Sequence, residues 1–491
     1  MSTIQEISGL RPPAPLPPAR AIRRPERPHA LLSAMGKSGG AALASGLLTA
    51  LAIKTVAVAA GPAAVAWLVT LQQLRQTALV AATGNGQTAL VRGASALAGR
   101  PRREFVRTAA CIFAMATALV ALLMIAAPHA VARWAGIAPP ALGAARWLAL
   151  PMVLASVFVF LSGLLNALGG IGDLAVIQTV AAAALAAAAW PASRAAIGGG
   201  LGVASGGALR SPVRRPEFLI AMLAVSAAVG VLAAGVALFR RRRQWRDWFW
   251  GPGRSWETGA ARRFSALSLA MLVSGLTASA VLLAVRARIT STAGLVVTGQ
   301  FDAAWGISMN YVSLVLASLQ TYYLPALARA RTAAERNRHI SSVLTATTLI
   351  AAVLIAAVAA LKPHLFAWFY SAAFRPGAEY LRWTLVGDYL KVSSWILSLP
   401  ILAAAEMKVF LAADLAAYGV FLGASLGLAH WLPAAASAAV SFVLMYAAHL
   451  AICAVYLVRC RQFVPSRAAC WAWGGGLAVV VSVSAVTWIQ S

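Results

Sequence analysis

The sequence predicts an all-α polytopic membrane protein with twelve core transmembrane helices in two pseudo-symmetric six-helix bundles, and a thirteenth candidate helix at the C-terminal end. Hydrophobic residues make up 61% of the chain, charged residues only 11%, and the mean hydropathy is +0.78. These values lie far from those of a soluble domain. Most of the chain falls into apolar runs of about 20 residues, the length that a helix needs to cross a bilayer core.

The apolar runs predict one helix each, with boundaries uncertain by about 4 residues. A further apolar run at 471–489 is long enough to be the thirteenth helix. The twelve core spans are predicted at 38–60, 62–84, 106–127, 147–168, 173–190, 218–239, 264–289, 294–320, 340–361, 381–403, 407–428 and 434–457.

Composition divides the chain into five parts. The first is a disordered cytoplasmic tail, rich in proline and arginine, and the third is a basic cytoplasmic linker between the two bundles. A Gly-rich stretch at 191–217 is an insertion whose topology the pattern leaves open. The four cysteines lack the spacing of a metal site or a disulfide framework. The predicted parts are 1–30 (tail), 31–239 (N-terminal bundle), 240–263 (linker), 264–465 (C-terminal bundle) and 466–491 (apolar segment).

The excess of basic over acidic residues lies mainly in the segments between the predicted spans. The formal net charge is +28, which in a soluble chain would suggest nucleic acid. If the N-terminus is cytoplasmic, however, most of the Lys and Arg residues fall in cytoplasmic segments, as the positive-inside rule expects. We therefore expect a multi-pass protein with a cytoplasmic N-terminus and no nucleic-acid partner.

The two bundles carry matching segments in the same order. "APHAVARW" at 127–134 is echoed by "KPHLFAWF" at 362–369, and Arg146-Trp147 is echoed by Arg382-Trp383 at nearly the same separation. Ordered matches of this kind indicate an internal repeat. Because a unit of six spans returns the chain to the same side, the copies are parallel and related by an axis along the membrane normal. In transporters built this way, the substrate path runs between the halves.

Polar residues inside predicted spans are candidates for such a path, since a charge in lipid is costly without a cavity or a partner. Together they predict a cationic lumen that suits an anionic cargo such as a pyrophosphate, which guanidinium groups bind bidentately. The "QQLRQ" stretch places three of them on one helix face, where a hydrogen-bonded seam is the alternative. The candidate lumen residues are Lys54, Gln72, Arg75, Gln76, Arg286, Arg288 and Lys391.

Two acids are candidates for ion coupling or for charge compensation. Asp302 is either a proton carrier or the partner of a lumen arginine. Asp388 lies three residues before Lys391, so the two form either a structural ion pair or a substrate contact. Arg286 and Arg288 are close enough to the outer surface to extend toward it, the commoner fate of such residues.

Three stretches resemble a known family: "LQTYYLPALARARTAAERNRHI" (319–340), "LRWTLVGDYLKVSSWILSLPILAAAEMKVF" (381–410) and "AGPAAVAWLVTLQQLRQTALVAATGNG" (60–86). They are similar to the Wzx-type O-antigen and lipid-linked oligosaccharide flippases, in the superfamily of the MATE exporters and the peptidoglycan precursor flippase. The resemblance implies two bundles of six helices in the bacterial inner membrane. It also implies an undecaprenyl-pyrophosphate-linked oligosaccharide as cargo, either an O-antigen or an exopolysaccharide repeat unit.

The leading functional hypothesis is therefore a flippase that moves this glycan by alternating access, with membrane lipids and other glycan-assembly membrane proteins as partners. A MATE-like drug or ion antiporter is the alternative. A membrane-embedded glycosyltransferase or polymerase is less favoured, because the chain has only 13 acids and lacks the DxD, HExxH and Walker motifs of such chemistry. We expect no catalytic residues, no metal and no cofactor.

Overall fold

The computed structural model describes residues 28–134, 146–197, 213, 215–319, 323, 327, 332–404 and 406–489, and this part of the chain is almost entirely helical. Short 3-10 turns lie at 146–148 and at Ala372–Gly377. The helices are α1 (Pro28–Thr83), α2 (Gln87–Ala96), α3 (Gly99–Ala126), α4 (Pro128–Trp134), α5 (Ala149–Ala167), α6 (Ile171–Ile197), α7 (Glu217–Arg240), α8 (Arg242–Phe249), α9 (Thr258–Ser318), α10 (Ala333–Ala360), α11 (Lys362–Phe369), α12 (Ala378–Ala403), α13 (Met407–Leu428), α14 (Ala434–Arg461) and α15 (Arg467–Ile489).

Helices α1 and α9 each consist of two arms joined at one glycine. Gly61 has φ 73° and Gly294 has φ 83°, a region that glycine occupies without strain. With 56 and 61 residues, the helices would be more than twice as long as the bilayer core is thick if they were straight. Each arm therefore corresponds to one crossing.

Eleven helices are long and apolar enough to cross a membrane, counted over the described ranges. Counting both arms of α1 and α9 gives thirteen crossings, which agrees with twelve core spans and a thirteenth helix. The chain is thus a multi-pass membrane protein. The two glycines also lie where the first and second predicted spans of each half meet.

The paired glycines support the internal repeat, as do α4 and α11, the short helices formed by the two echoed segments. In the first half, α1, α5, α6 and α7 pack together, and in the second half α9 packs with α12, α13 and α14. The halves meet mainly where α1 contacts α9. The predicted fold class of two similar helical bundles is confirmed, whereas the linker boundaries at 240–263 stay a prediction.

Some predicted boundaries were wrong. Helix α6 continues through Pro191 to Ile197, seven residues beyond the predicted end of the fifth span. A proline inside a span is tolerated where neighbouring helices and local adjustment satisfy the freed backbone groups. Helix α3 begins at Gly99 rather than at 106. Its first two turns are basic, so the apolar run from which the span was predicted begins seven residues after the helix does. Residues 1–27 of the predicted tail and most of the insertion, 198–212 and 214, lie outside the described residues.

The second arm of α1 runs antiparallel to α9 along the boundary between the halves. At one end, Gly299 packs on Pro62 beside the two kinks. At the other end, the Asn85 amide donates to the carbonyl oxygen of Met271 over 3.1 Å. We call these the kink end and the linker end of the bundle, since the linker helix α8 joins the halves at the latter.

The thirteenth helix, α15, packs against α10 and α12 of the second half. The Tyr389 hydroxyl on α12 donates to the carbonyl oxygen of Trp473 over 2.8 Å, and the Trp473 indole donates to the Ser393 hydroxyl over 3.1 Å. Gly476 allows the close approach, because a Cβ there would lie 2.4 Å from the Tyr389 hydroxyl. Helix α15 is therefore a specifically docked part of the fold.

Candidate functional site

A cavity of about 280 Å³ lies between the halves, where the first arm of α1 faces the second arm of α9. Its lining is mainly apolar, with the amide of Asn310 and the hydroxyls of three other residues as its polar groups. None of the predicted lumen residues lines it, so the expected cationic lining is wrong for this cavity. The lining residues are Gly46, Leu47, Ala50, Ile53, Ile307, Asn310, Tyr311, Ser313, Val358, Leu365, Phe369 and Tyr370.

Lys54 is the nearest predicted lumen residue in sequence to this lining. It is half-buried, and it shares one helix face with Leu47 and Ala50 because it lies seven and four residues after them. Among the ion pairs of the described ranges, none involves Lys54. Lys54 therefore lies on the helix face that carries two lining residues, and no carboxylate of the described ranges forms an ion pair with it.

Arg286, Asp302 and Gln73 form a buried network across the boundary between the halves. Nε of Arg286 lies 2.8 Å from Oδ1 of Asp302, and Nη1 donates to the Gln73 side-chain oxygen over 3.1 Å. Arg286 is 4% exposed and Asp302 is 3% exposed. The expectation that Arg286 extends to the outer surface was wrong, because a carboxylate from the other arm of α9 and an amide from α1 contact its guanidinium inside the protein.

The "QQLRQ" stretch is polar on more than one face. Gln73, the residue that contacts the other half, was missed by the face argument. At 3.6 residues per turn Arg75 lies about 200° around the helix from Gln73, so it is not on the face that contacts Arg286. Gln72 and Arg75 are partly buried, whereas Gln76 is exposed. The Arg75 Nε atom is buried and has no hydrogen-bond partner in the described part of the chain.

Asp388 is fully buried and is satisfied by two hydroxyls from α9. Ser308 donates to its Oδ1 over 2.8 Å, and Tyr311 donates to its Oδ2. Tyr311 also lines the cavity. Its ring therefore connects the cavity wall to a buried carboxylate.

Lys391 lies one turn beyond Asp388 but does not form a close ion pair with it within the described residues. Its Nζ atom lies 3.1 Å from the Met309 sulfur and 5.6 Å from the centre of the Tyr446 ring. A thioether and an aromatic face hold the ammonium weakly compared with a carboxylate. Of the two alternatives, this geometry therefore does not favour a structural ion pair between Asp388 and Lys391.

Asp414 and His449 form a further polar pair in the second half, and the sequence analysis assigned no role to either residue. Asp414 accepts a hydrogen bond from the Ser274 hydroxyl, and its Oδ1 lies 3.4 Å from Nε2 of His449. The signal that could have found the pair is polarity at the middle of two apolar spans, since His449 lies within α14 and Asp414 within α13. The carboxylates deep in the spans, Asp302, Asp388 and Asp414, thus all belong to the second half.

Arg288, the remaining predicted lumen residue, is partly buried near the kink of α9, and its Nε atom is buried with no partner among the described residues. Overall, the nine predicted site residues do not converge on one cavity. Arg286 and Asp302 form one network, and Asp388 and Lys391 form a second group. The other five lie apart on two helices: Lys54, Gln72, Arg75 and Gln76 on α1, and Arg288 on α9.

Solved structures of low sequence identity share this architecture. An inward-facing multidrug resistance MATE family transporter of the MOP superfamily has a TM-score of 0.67 at 14% identity, covering 86% of this chain and 96% of that one. The chain therefore shares the fold of this structure. An inward closed structure of the lipid II flippase MurJ has a TM-score of 0.58 at 11% identity, covering 92% and 97%. A MOP superfamily transporter from Pyrococcus furiosus, described as having a binding pocket of reverse polarity, has a TM-score of 0.59 at 14% identity, covering 93% and 99%.

Among curated proteins, the chain is similar to the lipid III flippase of Escherichia coli (strain K12), at 24% identity over 212 residues, which is 42% of this chain and 50% of the relative. The lipid III flippase of Shigella flexneri matches to the same extent. The chain thus spans about half the length of the curated relatives it matches. No protein-family model matches the chain.

Proposed function

We propose that this protein is a flippase that moves an undecaprenyl-pyrophosphate-linked oligosaccharide across the bacterial inner membrane, with its N-terminus in the cytoplasm. The observation that carries the proposal is the apolar cavity between the halves, together with Lys54, which follows the lining residue Ile53 and forms no ion pair within the described ranges. An apolar wall beside a cation suits an amphiphile with a hydrocarbon chain and an anionic head. A lipid-linked pyrophosphate has both parts, and the two similar curated proteins are named lipid III flippases.

The cationic path predicted from sequence is retained in a narrower form. Lys54 and Arg75, both on α1, are the cations proposed to meet the pyrophosphate, because neither forms an ion pair within the described ranges. Arg286 is less suited to bind cargo, since Asp302 neutralises its charge at 2.8 Å. In this proposal Asp302 is a charge partner and not a proton carrier.

Asp388 is the carboxylate best placed to couple cargo to an ion gradient. Its proposed link is Tyr311, which lines the cavity and donates to Asp388. Protonation of Asp388 would remove the charge to which Ser308 and Tyr311 on α9 donate hydrogen bonds, and this would weaken the attachment of α12 to α9. The direction of the gradient and the identity of the sugar are outcomes for experiment.

The test uses the full-length protein in liposomes that contain a fluorescent lipid-linked oligosaccharide. An impermeant reductant added outside bleaches the fluorophores in the outer leaflet. The fluorophores of the inner leaflet are then bleached only as fast as the lipid is flipped outward. We expect the protein to raise this rate above that of protein-free vesicles. Lys54→Ala and Arg75→Ala should each lower it at least tenfold, whereas Arg100→Ala, at an exposed arginine on α3, should leave it unchanged. A wild-type rate equal to that of empty vesicles refutes the proposal.

The alternative is export of cationic drugs, favoured by the MATE fold and by the acids in the second half. The same vesicles separate the two functions. A flippase accelerates loss of the lipid label and leaves trapped cationic dyes in place. Dye efflux that depends on a proton or sodium gradient, without lipid flipping, would instead identify a MATE-like antiporter.

A further inference from the structure

The segment that joins the two halves forms a basic surface that the proposed transport cycle does not use. We call it the linker platform; it comprises α8 (Arg242–Phe249) and residues 250–256. It lies at the linker end, directly after the last turn of α7. Three features of this segment together specify a ligand.

First, the apolar face of α8 is already occupied by the protein. Trp248 is buried, and the guanidinium of Arg102 on α3 lies 5.0 Å from the centre of its ring. The Trp245 indole donates to the carbonyl oxygen of Leu238 over 2.7 Å. Because Trp245, Trp248 and Phe249 are spaced i, i+3 and i+4, they form one stripe, and the opposite face of α8 is directed away from the protein.

Second, the loop after α8 is held in place by hydrogen bonds from one arginine side chain. The guanidinium of Arg107, on α3, donates to the carbonyl oxygens of Phe249, Gly251 and Gly253, each over 2.9 Å. Gly251 and Gly253 adopt φ 115° and 148°, which suits a backbone that turns three carbonyls toward one cation. The platform is therefore attached to the first half, although its chain continues into the second.

Third, the outward residues of the platform combine cations with large aromatic rings. Arg242, Arg243 and Arg246 are exposed beside one exposed carboxylate, Asp247, so that α8 keeps a net positive charge. Trp250 and Trp256 are 69% and 45% exposed. Exposed indoles at the end of a span are typical of the membrane interface, where the ring lies at head-group level. If water alone surrounded these two rings, the exposure of their apolar surface would be unfavourable.

We propose that the linker platform binds anionic phospholipid head groups of the adjacent leaflet. Guanidinium groups bind phosphate bidentately, and each basic residue near an anionic surface strengthens binding about fivefold. A soluble acidic partner would account for the arginines but not for the exposed tryptophans at the same level, whereas a lipid surface accounts for both. Bound lipid fixes the first half at a set depth, so that the second half moves relative to it.

The test is native mass spectrometry of the full-length protein released from micelles that contain phosphatidylglycerol or phosphatidylcholine. The wild type should retain phosphatidylglycerol preferentially. The variant Arg242→Gln/Arg243→Gln/Arg246→Gln should bind it about a hundredfold more weakly at low salt, since three contributions of about fivefold are lost. Replacing the same three arginines with lysine should restore most of the preference, which a purely structural role of the guanidinium groups would not allow.

A matched control removes three exposed arginines from helices at the linker end that contain no tryptophan, α2, α3 and α10: Arg92→Gln/Arg100→Gln/Arg338→Gln. It should keep the phosphatidylglycerol preference of the wild type. Equal loss in both triple variants would overturn the proposal, because the preference would then reflect net charge alone. Displacement of the lipid by inorganic pyrophosphate or by a short RNA at equal concentration would also overturn it, since the surface would then be a site for soluble anions.

Discussion

Gly299→Ala should disfavour the conformation in which the halves are closed at the kink end. A Cβ at this position would lie 2.0 Å from the carbonyl oxygen of Pro62, whereas ordinary contact begins at 3.4 Å. The opposing atom belongs to a backbone beside the Gly61 kink and cannot rotate away as a side chain can. Overpacking of this kind costs about 1–3 kcal/mol, which corresponds to a shift of about five- to 150-fold in the ratio of closed to open forms.

The assay is pulsed electron paramagnetic resonance with spin labels at Val58→Cys and Thr292→Cys, exposed positions that flank the two kinks, in a chain whose four native cysteines are serine. Gly299→Ala should move the distance distribution toward longer values. Gly419→Ala, which meets nothing within 4 Å, should leave it unchanged. If both variants give the wild-type distribution and the wild-type flipping rate, the contact between Pro62 and Gly299 does not hold the halves together.

Three further predictions concern stability, docking and orientation. Arg286→Gln and Asp302→Asn should each destabilise the protein by about 3–5 kcal/mol in reversible unfolding, since each leaves a buried charge unpaired; a double variant as unstable as the sum of the two would contradict the pairing. Gly476→Ala should release α15 and expose it to protease, while Gly474→Ala, with open space at its Cβ, should not. Exposed Cys460 should react with an impermeant maleimide in inside-out vesicles but not in intact cells; labelling in intact cells would reverse the proposed orientation.

Most of the fold could be predicted from sequence because the bilayer imposes one length and one composition on each crossing. The apolar runs therefore located the spans, and the ordered echoes located the repeat. Boundaries failed where this constraint is weak. The basic first turns of α3 and the proline within α6 changed the composition of a helix without ending it.

The candidate site was less predictable, since it depends on which helices are neighbours. Periodicity identified Gln72, Arg75 and Gln76 as one face but could not show that Gln73 is the residue that reaches Arg286 in the other half. Likewise, the spacing of Asp388 and Lys391 suggested a mutual pair, whereas hydroxyls and a ring from other helices contact them in the structure. Sequence spacing describes one helix, and a site in a bundle is made by several.

The docked thirteenth helix has a consequence for the chain ends. The thirteen crossings counted over the described ranges are an odd number, which leaves the first and last described residues on opposite faces of the bilayer. Twelve crossings would keep both on one face. A phosphatase that is active only outside the cytoplasm should therefore work when it is fused after Ser491 and fail when it is fused before Met1. The same fusions made to a chain that ends before α15 should both be inactive.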